Sequence, residues 1–144
     1  MEPAIEFEVV WQDQDVIECG VRCSNGSFCG WAKVYLSHDD LPRMADDLNG
    51  FPRQTKDTRY FEIGAFNPQH AYGGIRMRFY CLDSVGHVGV EVKLRGHGCE
   101  ALGEPESVAL RIPIEAAAID SFVKQLKGME SAQIGTTACL YRAS

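Results

Sequence analysis

The chain has 144 residues, 45% of them hydrophobic and 24% charged, enough for one domain whose core needs neither a metal nor disulfide bridges. Its 14 Lys and Arg stand against 20 Asp and Glu, and the resulting net charge of -6 opposes non-specific binding to nucleic acid, where phosphate contacts need a basic surface. No stretch approaches the ~18 apolar residues of a membrane span. Acids also stand near the start where a secretory leader would carry bases. The expectation is a cytoplasmic protein with its six cysteines reduced.

Residues 5–11 alternate, with Ile5, Phe7, Val9 and Trp11 on the apolar side and Glu6 and Glu8 opposite, the period of a half-buried strand. Residues 16–23 make the next strand. Asn25-Gly26 reads as a two-residue type I′ turn, which requires positive φ at both positions. That turn pairs Cys23 with Phe28, Val21 with Gly30, Cys19 with Ala32 and Ile17 with Val34 on the core side. Arg22, Cys29, Trp31, Lys33 and Tyr35 then face the other way. Pro42 fits only a first helical turn, so Asp39 or Asp40 caps a helix whose buried stripe is Leu41, Met44, Ala45 and Leu48. Asn49-Gly50 ends it, and residues 60–66 form a fourth strand.

The stretch 72–94 organises the rest. Two alternating runs meet at Asp83-Ser84-Val85-Gly86, and a four-residue loop there places Leu82 opposite His87. Ile75 then faces Leu94, Met77 faces Val92, Phe79 faces Val90 and Cys81 faces Val88, all on one apolar side. Arg78 meets Glu91, Arg76 meets Lys93 and Tyr80 meets Gly89 on the polar side. A glycine-rich loop covers 96–107, and Val108, Leu110, Ile112 and Ile114 alternate as a further strand. Ile119, Phe122, Val123 and Leu126 line a second helix over 115–127, stopped by Gly128, and 136–142 adds a terminal strand. The reading is a single α+β domain over 1–144. A twisted antiparallel meander of about seven to eight strands carries two helices on one face, with no internal repeat.

Chemistry is sparse. Cys19, Cys23 and Cys29 have a C-x3-C-x5-C spacing without a zinc knuckle, and Cys29 points away from the other two, so no metal is expected. No G-x-S-x-G elbow and no phosphate cradle is present, so neither catalytic residue nor cofactor is assigned. The alternative is a small enzyme or ligand-binding domain that uses the His87, His97 and Cys99 region. What remains is surface: Arg22, Trp31, Lys33, Tyr35, Arg76, Arg78 and Tyr80, residue types enriched in protein-interface hot spots. They are the expected partner-binding residues of a non-enzymatic protein, monomer or homodimer, that binds neither nucleic acid nor membrane.

Phe28-Cys29-Gly30-Trp31 running into YLSHDDLPRMADDL resembles a strand followed by a "DL…L" helix in small bacterial immunity-type proteins. These are encoded beside polymorphic toxins, the wall-associated toxin immunity class among them. RIPIEAAAIDSFVKQL is similar to the strand-then-helix ending of the same proteins. The resemblance covers about a third of the chain and includes no catalytic residue. It implies a toxin-neutralising or other binding role without catalysis, with occlusion of the partner by the polar aromatic sheet face or the 96–107 loop as the mechanism, and the acidic charge would suit a basic toxin domain.

Overall fold

The computed structural model describes residues 3–67, 72–98, 101 and 103–143. Its elements are β1 (Pro3–Gln12), β2 (Ile17–Ser24), β3 (Cys29–Leu36), α1 (Asp40–Leu48), β4 (Thr58–Gly64), β5 (Gly74–Cys81), β6 (His87–Arg95), β7 (Ser107–Glu115), α2 (Ala116–Lys127) and β8 (Thr137–Tyr141). A short 3-10 turn over Gly128–Ser131 follows α2. The class is α+β with antiparallel pairing between the strands of each sheet, as the alternation implies. The strands do not form one meander, however. They divide into two four-stranded sheets, ordered β3-β2-β1-β8 and β4-β5-β6-β7.

The two sheets share one plan. β1-β2-β3-α1-β4 and β5-β6-β7-α2-β8 are successive βββαβ units, and each places its fourth strand beside the first strand of the other unit. The repeat lies in topology and not in side-chain identity, which is why it is invisible in the sequence. It does extend to the helices: Leu41, Met44, Ala45 and Leu48 are buried in α1, and Ile119, Phe122, Val123 and Leu126 in α2. Two isolated bridges, Val34 to Gly73 and Ile114 to Arg142, tie each sheet's outer strand to the other sheet.

A single core cluster fills the space between the apolar faces, with α1 packed on α2 and α2 on β8. Phe7 of the first sheet stacks on Phe122 at 6.4 Å, while Phe79 of the second meets both Phe51 and Phe61 edge-on. Burial of such aromatic side chains is the main stabilising term, at about 25 cal/mol per Å² of apolar surface. Each fourth strand is also tied to its own helix through polar groups. The Gln125 side chain of α2 accepts from the Cys139 N–H at 2.9 Å and donates to its carbonyl at 3.3 Å, so it pairs with the open edge of β8 as a strand would. Arg59 of β4 donates to the carbonyls of Asp47 and Asn49 at the end of α1, where helical carbonyls lack partners.

The central hairpin has the expected register, from Ile75 opposite Leu94 to Cys81 opposite Val88, and Leu82 N–H donates to the His87 carbonyl. Two other details differ. The first hairpin turns on Gly26-Ser27, one residue later than the type I′ reading, and pairs Cys23 with Gly30, Val21 with Ala32, Cys19 with Val34 and Ile17 with Leu36. The reason is local: among the described residues φ is positive at glycines alone, so Asn25 is not in the left-handed region a type I′ turn would need there. Gly26, at φ 92°, meets the requirement of a type II′ turn, and Asn25 Oδ1 accepts from the N–H groups of Ser27 and Phe28. A shift of two in the pairing keeps Cys23, Val21, Cys19 and Ile17 on the core side with new partners, whereas Phe28, expected there opposite Cys23, lies at the hairpin tip and is 68% exposed. The second difference is at Trp11. A bulge between Val9 and Trp11 reverses the alternation, so Trp11 lies opposite Glu18 and is 45% exposed instead of joining the core.

Candidate functional site

The outward residues of the second sheet form rows set by the pairing. Tyr60, Arg78, Glu91 and Arg111 lie side by side across all four strands, and Glu62, Arg76, Lys93 and Ala109 make the row beside them. Both rows line a groove of about 1050 Å³. Phe28 and Asn25, from the tip of the first hairpin, close its β7 side. That tip is held in place by Arg142, whose Nη1 donates to the Asn25 carbonyl at 2.9 Å. The groove therefore belongs to both sheets, and the exchange of fourth strands brings them together.

Its charged groups are fixed by one another. Glu91 accepts from Arg78 through both carboxylate oxygens, Nε to Oε2 at 3.1 Å and Nη2 to Oε1 at 2.8 Å, and Arg111 Nε stands 3.6 Å from the same Oε1. The hydrogen bond from Arg78 holds the Glu91 carboxyl below its usual range and raises the guanidinium in return. Arg76 donates to Glu62 at 2.6 Å. Each guanidinium also lies over an aromatic ring, Arg78 over Tyr80 at 4.3 Å and Arg76 over Phe66 at 4.1 Å. A guanidinium has five N–H donors, so Arg78 keeps donors beyond the two that Glu91 takes. The result is an array of oriented, charged donors with carboxylates already committed, suited to recognising a partner's acceptors and poorly suited to moving protons.

The expected partner-binding residues separate. Arg76 and Arg78 line the groove; Tyr80 sits just outside it, its ring over Gly89. Arg22, Trp31, Lys33 and Tyr35 lie on the outer face of the first sheet and are not part of the lining. There Trp31 covers Gly20, where a Cβ would come within 3.1 Å of the indole. Tyr35 packs edge-on against Tyr72 and hydrogen-bonds Glu18, which raises its pKa. The sequence reading missed Tyr60, Glu62, Arg111 and Phe28 as parts of the site. Alternation places the first three on outward faces, but only the pairing of β4 with β5 and of β6 with β7 sets them beside Arg78.

His87 and His97 do not come together. They flank the nine-residue β6 at its opposite ends, which at about 3.3 Å per residue puts roughly 30 Å between them. Cys99 lies outside the described residues, as does His70. His87 is instead paired with Asp83 at 2.5 Å across the hairpin tip. Burial pushes the thiols of Cys19 and Cys23 up to about 12 and about 11, which removes their thiolate character at neutral pH. Among the described residues no cluster of three or more His, Cys, Asp or Glu could hold a metal ion, and no helix is long and apolar enough to cross a membrane. Comparison with protein-family models, with curated proteins and with solved structures finds no match to this chain.

Proposed function

We propose that this chain is a protein-binding domain without catalytic chemistry, which captures its partner on the outer face of the second sheet. The supporting observation is the Arg78-Glu91-Arg111 row, set in a groove between exposed Tyr60 and Phe28. Arginine and tyrosine held in fixed geometry lose little conformational entropy on binding, and they are prominent among interface hot spots. In the toxin-neutralising role implied by the immunity-type resemblance, the same face would cover the working surface of the toxin.

The test is capture of partners from an extract of the source cells by the immobilised chain. Arg78→Ala with Arg111→Ala is expected to abolish retention of the partner, while Arg22→Ala with Trp31→Ala retains it. If the loss follows the first-sheet pair, or if no partner distinguishes the variants, the assignment of the face is wrong.

A further inference from the structure

Resting on that binding face, we infer that the partner segment which enters the groove is acidic, a short extended run rich in Asp and Glu. The groove runs against the sign of the chain. Four cationic side chains line it against two carboxylates, in a protein of net charge -6. Both carboxylates are already engaged: Glu62 by Arg76, and Glu91 by Arg78 and Arg111 together. One carboxylate shared by two guanidiniums leaves positive charge over. Arg111 has 83% of its side chain exposed, and the exposed Lys93 has no ion pair among the described residues.

Lys93, and Arg111, which shares its one carboxylate with Arg78, are diagonal neighbours. Lys93 lies opposite Ala109 and Arg111 opposite Glu91, so the two cations are about 7–8 Å apart on one diagonal, with the small Ala109 and the already engaged Glu91 at the other two corners. A carboxylate from a partner fits between them and meets both charges. Tyr60 and Phe28, 72% and 68% exposed at the two sides of the groove, offer apolar contact to residues that flank the acid. Four strands at about 4.8 Å spacing span roughly 14 Å, the length of about four extended residues. A nucleic acid would bring the same sign of charge, and the oligonucleotide arm of the test below tells it from an acidic peptide. A basic partner would still bind here if the segment it presents is acidic.

The isotopically labelled full chain titrated with deca-glutamate, deca-lysine and a ten-nucleotide oligothymidylate tests this by amide chemical-shift mapping. Deca-glutamate is expected to shift the amides of Arg78, Glu91, Lys93 and Arg111 saturably. Lys93→Gln with Arg111→Gln should weaken that binding by about tenfold, and raising the salt should weaken it further, with the thermal midpoint nearly unchanged. Three results overturn the inference: no saturable shift, shifts centred on another face, or equal binding of deca-lysine or the oligonucleotide. Partner capture separates the two claims. If Arg78→Ala with Arg111→Ala abolishes capture but deca-glutamate does not bind, the face stands and its acidic occupant does not. If deca-glutamate binds the groove while capture ignores that pair, the acidic preference stands and the assigned role fails.

Discussion

The two sheets are built to one plan and yet present different surfaces. In each, a glycine in the second strand of its unit lies beneath an aromatic ring, Gly20 under Trp31 and Gly89 under Tyr80. Each fourth strand is tied to a helix, by Gln125 in one case and Arg59 in the other. On the first sheet the outward side is mixed, with Glu6, Glu8 and Glu18 among Arg22, Lys33 and two exposed tryptophans. On the second, Tyr80 supports a guanidinium, and arginines gather round a shared carboxylate. Shared topology fixes which positions face out; it leaves open what those positions do. Function is therefore argued from the rows of side chains and not from the plan they share.

Removing a core aromatic from either sheet tests whether the two are energetically equal partners. Phe79→Ala and Phe7→Ala should each cost about 3–5 kcal/mol, because both rings are fully buried against other aromatics. Urea denaturation followed by two probes, one in each sheet, should show a single transition displaced alike in both. Two separate transitions would mean that the sheets are independent units despite the common core.

A smaller loss is expected at the edge. Gln125→Ala leaves the N–H and carbonyl of Cys139 without their side-chain partner, at a cost of about 1–2 kcal/mol. It also uncovers β8 as a pairing template, so sedimentation should reveal concentration-dependent self-association absent from the parent chain. An unchanged sedimentation profile with an unchanged midpoint would show that the edge needs no cover.

The smallest effect concerns the two hairpin tips, one closed by Asn25 and the other by the Asp83-His87 pair. The hydrogen bond between them raises the His87 pKa and lowers that of Asp83. The histidine's contribution is complete below its unfolded pKa of about 6.5 and is lost as pH rises through the higher folded value. The carboxylate's contribution is complete above its unfolded value of about 3.9 and is lost as pH falls through the lower folded value. The pair is thus fully formed between about pH 4 and 6.5, and ring-proton titration should show the His87 pKa falling when Asp83 becomes Asn. The tip at Asn25 should show no titration over the same range. An unmoved His87 would make the contact incidental.

What could be read from the chain alone was whatever repeats at short range. The pairing of Ile75 with Leu94 follows from period-two alternation about a four-residue loop, and the burial of Leu41, Met44, Ala45 and Leu48 from helical spacing. Trp11 was misplaced because one extra residue in a strand inverts everything beyond it and leaves no mark in composition. The split into two sheets was hidden because hairpins report nearest neighbours, whereas β8 beside β1 is a contact between distant parts of the chain. The site was half legible for the same reason. Arg76 and Arg78 come from the hairpin whose register was plain, while Arg111, Tyr60 and Phe28 reach it through pairings and packing that no local pattern encodes.

The exchanged fourth strands carry a consequence for how the molecule comes apart. A backbone cut between Gly64 and Gly73 separates the two βββαβ units covalently, yet each fragment then holds a strand that completes the other's sheet. Neither fragment can satisfy its own hydrogen bonds alone, since β4 without β5 and β8 without β1 are single ribbons with nothing to ladder against. The pair should behave as a split protein whose pieces are unstructured apart and reassemble on mixing.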